Sequence, residues 1–195
     1  MTGGLGAGKS TVARMLRDRG AVVVDADQLA RKALEPGTPG YEQVCDLFGR
    51  DILDEEGRID RRELAAAVFA DPSKRRALES ITHPEVFRML ADTVEQHRGT
   101  DAVVVFDAPL IVETGFQEVV DLLVVVTAPD DVRVQRVHRD RGMSGAEARS
   151  RIAAQADAGR RLSAADRVIG NDADLAALER QVDELWEELK ARAEA

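Results

Sequence analysis

One stretch near the start constrains this chain more than any other. Gly3-Gly4-Leu5-Gly6-Ala7-Gly8-Lys9-Ser10-Thr11 fits the phosphate-loop spacing G-x-x-x-x-G-K-[ST]. Glycines reach backbone angles closed to other residues and keep side chains out of the loop. Backbone N–H groups then face phosphate oxygens, and the following helix adds the positive end of its dipole. The pattern predicts that Gly4, Leu5, Gly6, Ala7, Gly8, Lys9, Ser10 and Thr11 bind the phosphates of ATP. Lys9 supplies a point charge to the β- and γ-phosphates, and the Ser10 hydroxyl is a candidate Mg²⁺ ligand.

Beyond the loop, strand and helix patterns alternate. Lys9 to Arg19 reads as a helix with Val12, Ala13 and Leu16 on one face and Gly20 as its stop. Ala21–Val24, Ala102–Phe106, Leu122–Thr127 and Arg167–Ile169 are short apolar runs, rich in valine, that suit buried parallel strands. Residues 41–97 carry helical patterns and no strand-like run, with Asp54-Glu-Glu-Gly57 as a turn, Pro72 starting a helix and His83-Pro84 interrupting it. Ser144 with Glu147 opens a helix to about Ala158, and residues 172–193 form a long helix packed on the domain. The fold class is therefore α/β: a parallel sheet flanked by helices, with a helical insert. The loop itself calls for a strand ahead of it. An apolar, β-branched segment of about five to seven residues is expected upstream of Thr2.

Charge narrows the partners. Lys+Arg is 27 against 36 Asp+Glu, a net charge of −9, which disfavours non-specific nucleic-acid binding. No apolar run approaches the roughly 20 residues of a membrane span. The single cysteine, Cys45, and the lack of a secretory signal at the start of the sequence fit a reducing cytoplasm. The expected state is a monomer or small homo-oligomer.

A phosphate loop leaves the reaction open. A GTPase switch needs D-x-x-G after a strand and N-K-x-D. Asp54-Glu-Glu-Gly57 has no strand leading into it, and Asn171-Asp-Ala-Asp174 lacks the lysine. A small-molecule kinase needs a carboxylate at the acceptor and cations at the phosphate. Asp25 and Asp27 end the second strand, on the sheet edge where α/β proteins bind ligands. Asp107 ends the third and can serve Mg²⁺. Arg136 and Arg139 are three apart on one helix and can clamp the transferring phosphate. His83 is a candidate pocket residue.

Taken in order, Thr2–Thr11, Asp25-Ala-Asp27, Pro36-Gly37, Phe48-Gly49, Phe69-Ala-Asp-Pro72, His83-Pro84, Asp107-Ala-Pro-Leu110 with Glu113, Arg141-Gly-Met143, Ala153-Ala-Gln155, and Ala165-Asp166 before Val168-Ile169 resemble the dephospho-CoA kinase family. The resemblance implies transfer of the ATP γ-phosphate, with Mg²⁺, to the ribose 3′-hydroxyl of dephospho-CoA. It implies a nucleotide core at residues 1–27, 98–136 and 162–195, a helical substrate-side domain at 28–97, and a lid at 137–161. It implies catalytic roles for Asp27, Lys9 and Arg139, and a nucleotide contact for Asn171. Substrate contacts would come from Asp25, Asp27, His83, Asp107, Pro109, Leu110, Arg136 and Arg161, and metal ligation from Ser10 and Asp107. Two departures stand out. Gly170 precedes Asn171 where the family has Asp, and Asp157-Ala158-Gly159 lacks a family arginine that Arg160 or Arg161 can replace. The alternative is another phosphate-loop kinase, such as one acting on a nucleoside monophosphate. A nucleotide-binding scaffold without turnover would share the loop but would not need Asp27.

Overall fold

The computed structural model describes every residue except Ala70, Leu110, Ala156, Asp157 and Ala195. The chain forms two compact units, one of Met1–Val23 with Gly99–Ala195 and one of Val24–Arg98.

The first unit is built on parallel strands. β1 is Thr2–Gly3, β3 is Val104–Asp107, β4 is Val124–Thr127 and β5 is Arg167–Gly170. β4 lies between β1 and β5, parallel to both, with Thr2 opposite Val125 and Ile169 opposite Val126. β2 (Val22–Asp25) pairs with β3, and its Val22 N–H donates to Val103 O at 2.9 Å. Met1 joins the two sets. Its nitrogen donates to Phe106 O at 2.7 Å, and its carbonyl accepts from Ala108 N at 3.1 Å. Bonding to two residues that flank Asp107 is the parallel pattern. The strand order is thus β2-β3-β1-β4-β5, with the phosphate loop leaving the central strand.

The helices of this unit are α1 (Lys9–Asp18), α6 (Asp130–Arg141), α7 (Gly145–Ala153), α8 (Ala158–Ala164) and α9 (Leu175–Ala193); α1 and α9 pack on the strands, and α7 packs on α6. Val12, Met15 and Leu16 of α1 and Leu178, Val182 and Leu185 of α9 share one core with Val105, Val124, Val126 and Ile169 of the strands. Leu16 is 1% exposed. We expect Leu16→Ala to cost about 2–5 kcal/mol. That should lower the melting temperature by roughly 5–20 °C in a chain of this size. A melt within about 2 °C of wild type, followed by circular dichroism, would contradict this packing.

Two helix boundaries differ from expectation. The helix opened by Ser144, whose hydroxyl accepts from Glu147 N, ends at Ala153 rather than about Ala158. Its last turn tightens as Gln155 N donates to Ile152 O, three residues back. The other boundary is in the second unit.

That unit holds α2 (Ala26–Lys32), α3 (Pro39–Phe48), α4 (Arg61–Phe69) and α5 (Pro72–Gln96). Their caps are legible one by one. Asp25, Thr38 and Asp71 accept from Gln28 N, Tyr41 N and Ser73 N. The Asp54–Gly57 turn is pinned at both ends. The Asp54 carboxylate accepts from Glu56 N and Arg58 N, and Tyr41 Oη donates to Gly57 O at 2.5 Å. Val44, Ile52 and Leu64 form the core. His83-Pro84 does not interrupt α5, which runs unbroken to Gln96. Proline removes one helical bond and its ring crowds the preceding turn. Here α2, α3 and α4 all pack on α5, and Thr82, Val86 and Leu90 are buried on either side of the proline. Tertiary packing outweighs the local penalty.

Candidate active site

The loop from Gly3 to Gly8 turns on Ala7 N donating to Gly4 O at 3.0 Å and feeds α1 through Gly8. Gly8 has φ 92°, a region L-residues rarely adopt, and a Cβ there would collide with Asn171 Nδ2. Lys9 opens α1, and its ammonium is held by the Asp107 carboxylate at the end of β3. The Lys9 side chain is 21% exposed and that of Asp107 is 7% exposed. Ser10 is exposed and Thr11 half-buried on the first turn of α1.

α6 and β5 fix the loop from the side. Arg133, 8% exposed, donates from Nε to Leu5 O at 2.9 Å and from Nη1 to Asp130 Oδ1 at 2.8 Å. Its Nη2 donates to Gln155 Oε1 at 3.1 Å, and the same oxygen accepts from Leu5 N at 2.7 Å. Asn171 follows β5. Its N–H donates to Thr127 O at 2.8 Å, and its Nδ2 donates to Ala7 O at 2.9 Å. Arg136 Nη2 donates to Asn171 Oδ1 at 3.2 Å, while Arg136 Nη1 is buried with no partner among the described residues.

The structure therefore brings Lys9, Asp107, Asn171 and Arg136 to the loop. Pro109 is tied nearby, its carbonyl accepting from Thr2 Oγ1 at 3.0 Å. It does not bring Arg139, which is exposed and pairs with Asp140 at 2.7 Å. Arg161 is 5% exposed and bound to Glu113 Oε1 through Nε at 2.9 Å and Nη2 at 2.5 Å. Leu110 lies outside the described residues. In the second unit, Asp25 is the N-cap of α2, whereas Asp27 is exposed in its first turn. His83 sits inside α5 with its ring 6.1 Å from that of Phe87. Sequence reasoning about function passed over Arg133. Its spacing of three from Arg136 puts both on one helix face, but Arg139 shares that spacing and stays exposed, so the spacing alone does not single Arg133 out.

No described helix is long and apolar enough to cross a membrane. Among the described residues no group of three or more His, Cys, Asp or Glu side chains gathers into a metal site.

The family profile of dephospho-CoA kinases matches residues 1–177. The dephospho-CoA kinase of Streptomyces avermitilis is 46% identical over 193 residues, covering 99% of this chain and 94% of that one. The dephospho-CoA kinase of Methylococcus capsulatus is 46% identical over 185 residues, covering 95% and 92%. Among solved structures, a Thermus thermophilus protein is 37% identical with a TM-score of 0.82, covering 96% and 95%. The dephospho-CoA kinase of Campylobacter jejuni, 23% identical with a TM-score of 0.74 and covering 98% and 96%, shares the fold. Identity at this level, sustained over nearly the whole length of both partners, does not arise from a shared loop alone: this chain belongs to the dephospho-CoA kinase family.

Proposed function

We propose that the protein transfers the γ-phosphoryl group of ATP to the ribose 3′-hydroxyl of dephospho-CoA, giving coenzyme A and ADP. The observation that carries this reading is the full-length likeness to dephospho-CoA kinases, which extends through the helical unit and not only the loop. The P–O bond to the ADP leaving group breaks, a P–O bond to the ribose oxygen forms, and the hydroxyl proton leaves with a base or solvent. Phosphoryl transfer is mainly positioning and charge neutralisation. In this reading Gly4 to Thr11 cradle the phosphates, and Lys9 neutralises charge on the β- and γ-phosphates. Arg136 and Asn171 line the nucleotide side, and Arg139, which the structure leaves exposed beside Asp140, turns from that partner to reach the phosphate. Asp27 orients the acceptor hydroxyl and takes its proton. Asp25, His83, Pro109, Leu110 and Arg161 serve the acceptor side. Residues 28–97 form the substrate-side domain and 137–161 a lid over the core of 1–27, 98–136 and 162–195.

The donor set fits Mg²⁺ that arrives with ATP. Mg²⁺ is usually held by one or two carboxylates plus substrate phosphates rather than by an all-protein cage. Ser10 offers a hydroxyl, and Asp107 a carboxylate with only Oδ1 engaged by Lys9. Held there, Mg²⁺ would supply charge neutralisation to the phosphates. The protein works in the cytoplasm as a monomer or small homo-oligomer, without nucleic acid.

ADP release tests the assignment. It should be fast with dephospho-CoA, slow with a nucleoside monophosphate, and slower still without acceptor. Equal rates with a nucleoside monophosphate would move the assignment to another kinase class, and no turnover with any acceptor would make the chain a scaffold.

A further inference from the structure

Arg133 and Gln155 hold both peptide planes that flank Leu5. Gln155 Oε1 takes the Leu5 N–H, which fixes the Gly4–Leu5 plane, and Arg133 Nε takes the Leu5 carbonyl, which fixes the Leu5–Gly6 plane. In a trans peptide the C=O and N–H point in opposite directions. Drawing the Leu5 carbonyl toward Arg133 therefore turns the Gly6 N–H away from α6. Asn171 does the same further along the loop, by drawing the Ala7 carbonyl and turning the Gly8 N–H. Neither the Gly6 nor the Gly8 N–H is donated to a backbone carbonyl among the described residues. Gly4 belongs to the same device. A Cβ at Gly4 would stand 2.5 Å from Arg133 Nη2 and 3.2 Å from Gln155 Oε1, so the glycine makes room for the clamp.

We propose that Arg133 and Gln155 are positioning residues for the phosphate loop, turning its N–H groups toward the nucleotide without touching it. Arg133 is carried by α6, and Gln155 lies just past the end of α7. The Leu5 N–H itself is then spent on the clamp, and the cradle is built from the N–H groups after it. The inference rests on the reading of this loop as the ATP site.

Gln155 uses only its carbonyl oxygen in the clamp, which makes a discriminating test possible. Gln155→Met keeps the length and removes the acceptor. Gln155→Glu restores an acceptor that Arg133 also neutralises. Gln155→Met should raise the KM for ATP about tenfold, the scale of one lost charge-assisted bond. It should leave the KM for dephospho-CoA within twofold. Gln155→Glu should recover most of the loss. A purely structural role would lower the melting temperature or kcat and leave the KM for ATP alone. The proposal is overturned by a wild-type KM for ATP in Gln155→Met, by a parallel rise in both KM values, or by a Glu variant no better than Met. If Gln155→Met does not fold, Gln155→Asn withdraws the oxygen by one methylene and carries the same expectation. Failure of the ATP-site reading looks different. Wild-type protein would then release no ADP in response to dephospho-CoA.

Discussion

Lys9→Ala should lower turnover to about a thousandth of wild type or less while the protein stays folded. Removing a single preorganised donor from an active site commonly costs about 10²–10³ in kcat, and Lys9 brings a full charge rather than a dipole. Its position supports a role in chemistry more than in folding. Lys9 lies at the first turn of α1, its side chain is 21% exposed, and among the described residues its ammonium is paired with Asp107. The substitution does have a structural cost. It leaves the Asp107 carboxylate, with its side chain 7% exposed, without its cation, and uncompensated buried charge destabilises. A lowered melting temperature with native circular dichroism is therefore expected, and stability must be measured beside activity. Lys9→Met, which keeps the aliphatic stem, should be equally inactive and closer to wild type in packing. Near wild-type ADP release from either folded variant would remove the phosphate-loop assignment.

The features legible in the sequence were those that depend on neighbours along the chain. The phosphate loop, the Ser144–Glu147 cap, the turn at Asp54 and the apolar face of α9 are each written in residues a few positions apart, and the structure has them all. Where reading failed, a distant partner decided. Pro84 breaks no helix because three other helices pack on α5, whose residues are buried on both sides of the proline. The helix from Ser144 stops at Ala153, and Gln155 just beyond it reaches the loop at Leu5, 150 residues away in sequence. Arg136 and Arg139 looked alike at a spacing of three. Arg136 meets Asn171 across the fold, while among the described residues Arg139 meets the adjacent Asp140. Arg133 carried the same charge as its neighbours, and only its burial against Leu5 marks it out. Arginine-rich helices give no local sign of which guanidinium turns inward, because that depends on which acceptors the sheet and loop present.

Asp27→Asn should lower kcat by on the order of 10²-fold or more, within the range of a positioned acid–base group. The KM for ATP should change by less than about twofold, because the carboxylate is assigned to the acceptor and not to the nucleotide. Asp25 is its rival, two residues earlier at the same strand end. The structure separates them by what each is already doing. Asp25 Oδ1 accepts from Gln28 N at 3.1 Å as the N-cap of α2. Asp27 is exposed, and its carboxylate engages no hydrogen bond or ion pair among the described residues. Asparagine caps a helix about as well as aspartate, so Asp25→Asn should be mild in both stability and turnover. Asp25→Ala should cost about 0.5–2 kcal/mol through the lost cap, with kcat largely kept in the folded fraction. At Asp27 the ranking inverts. Asparagine keeps size and polarity but cannot accept the hydroxyl proton or carry the charge that aligns it, so turnover falls and the melting temperature does not. Steady-state kinetics on the three variants, with melting curves beside them, decide the matter. If Asp25→Asn is the slower enzyme and Asp27→Asn is nearly wild type, the acceptor carboxylate is Asp25, and its cap bond must be given up during catalysis.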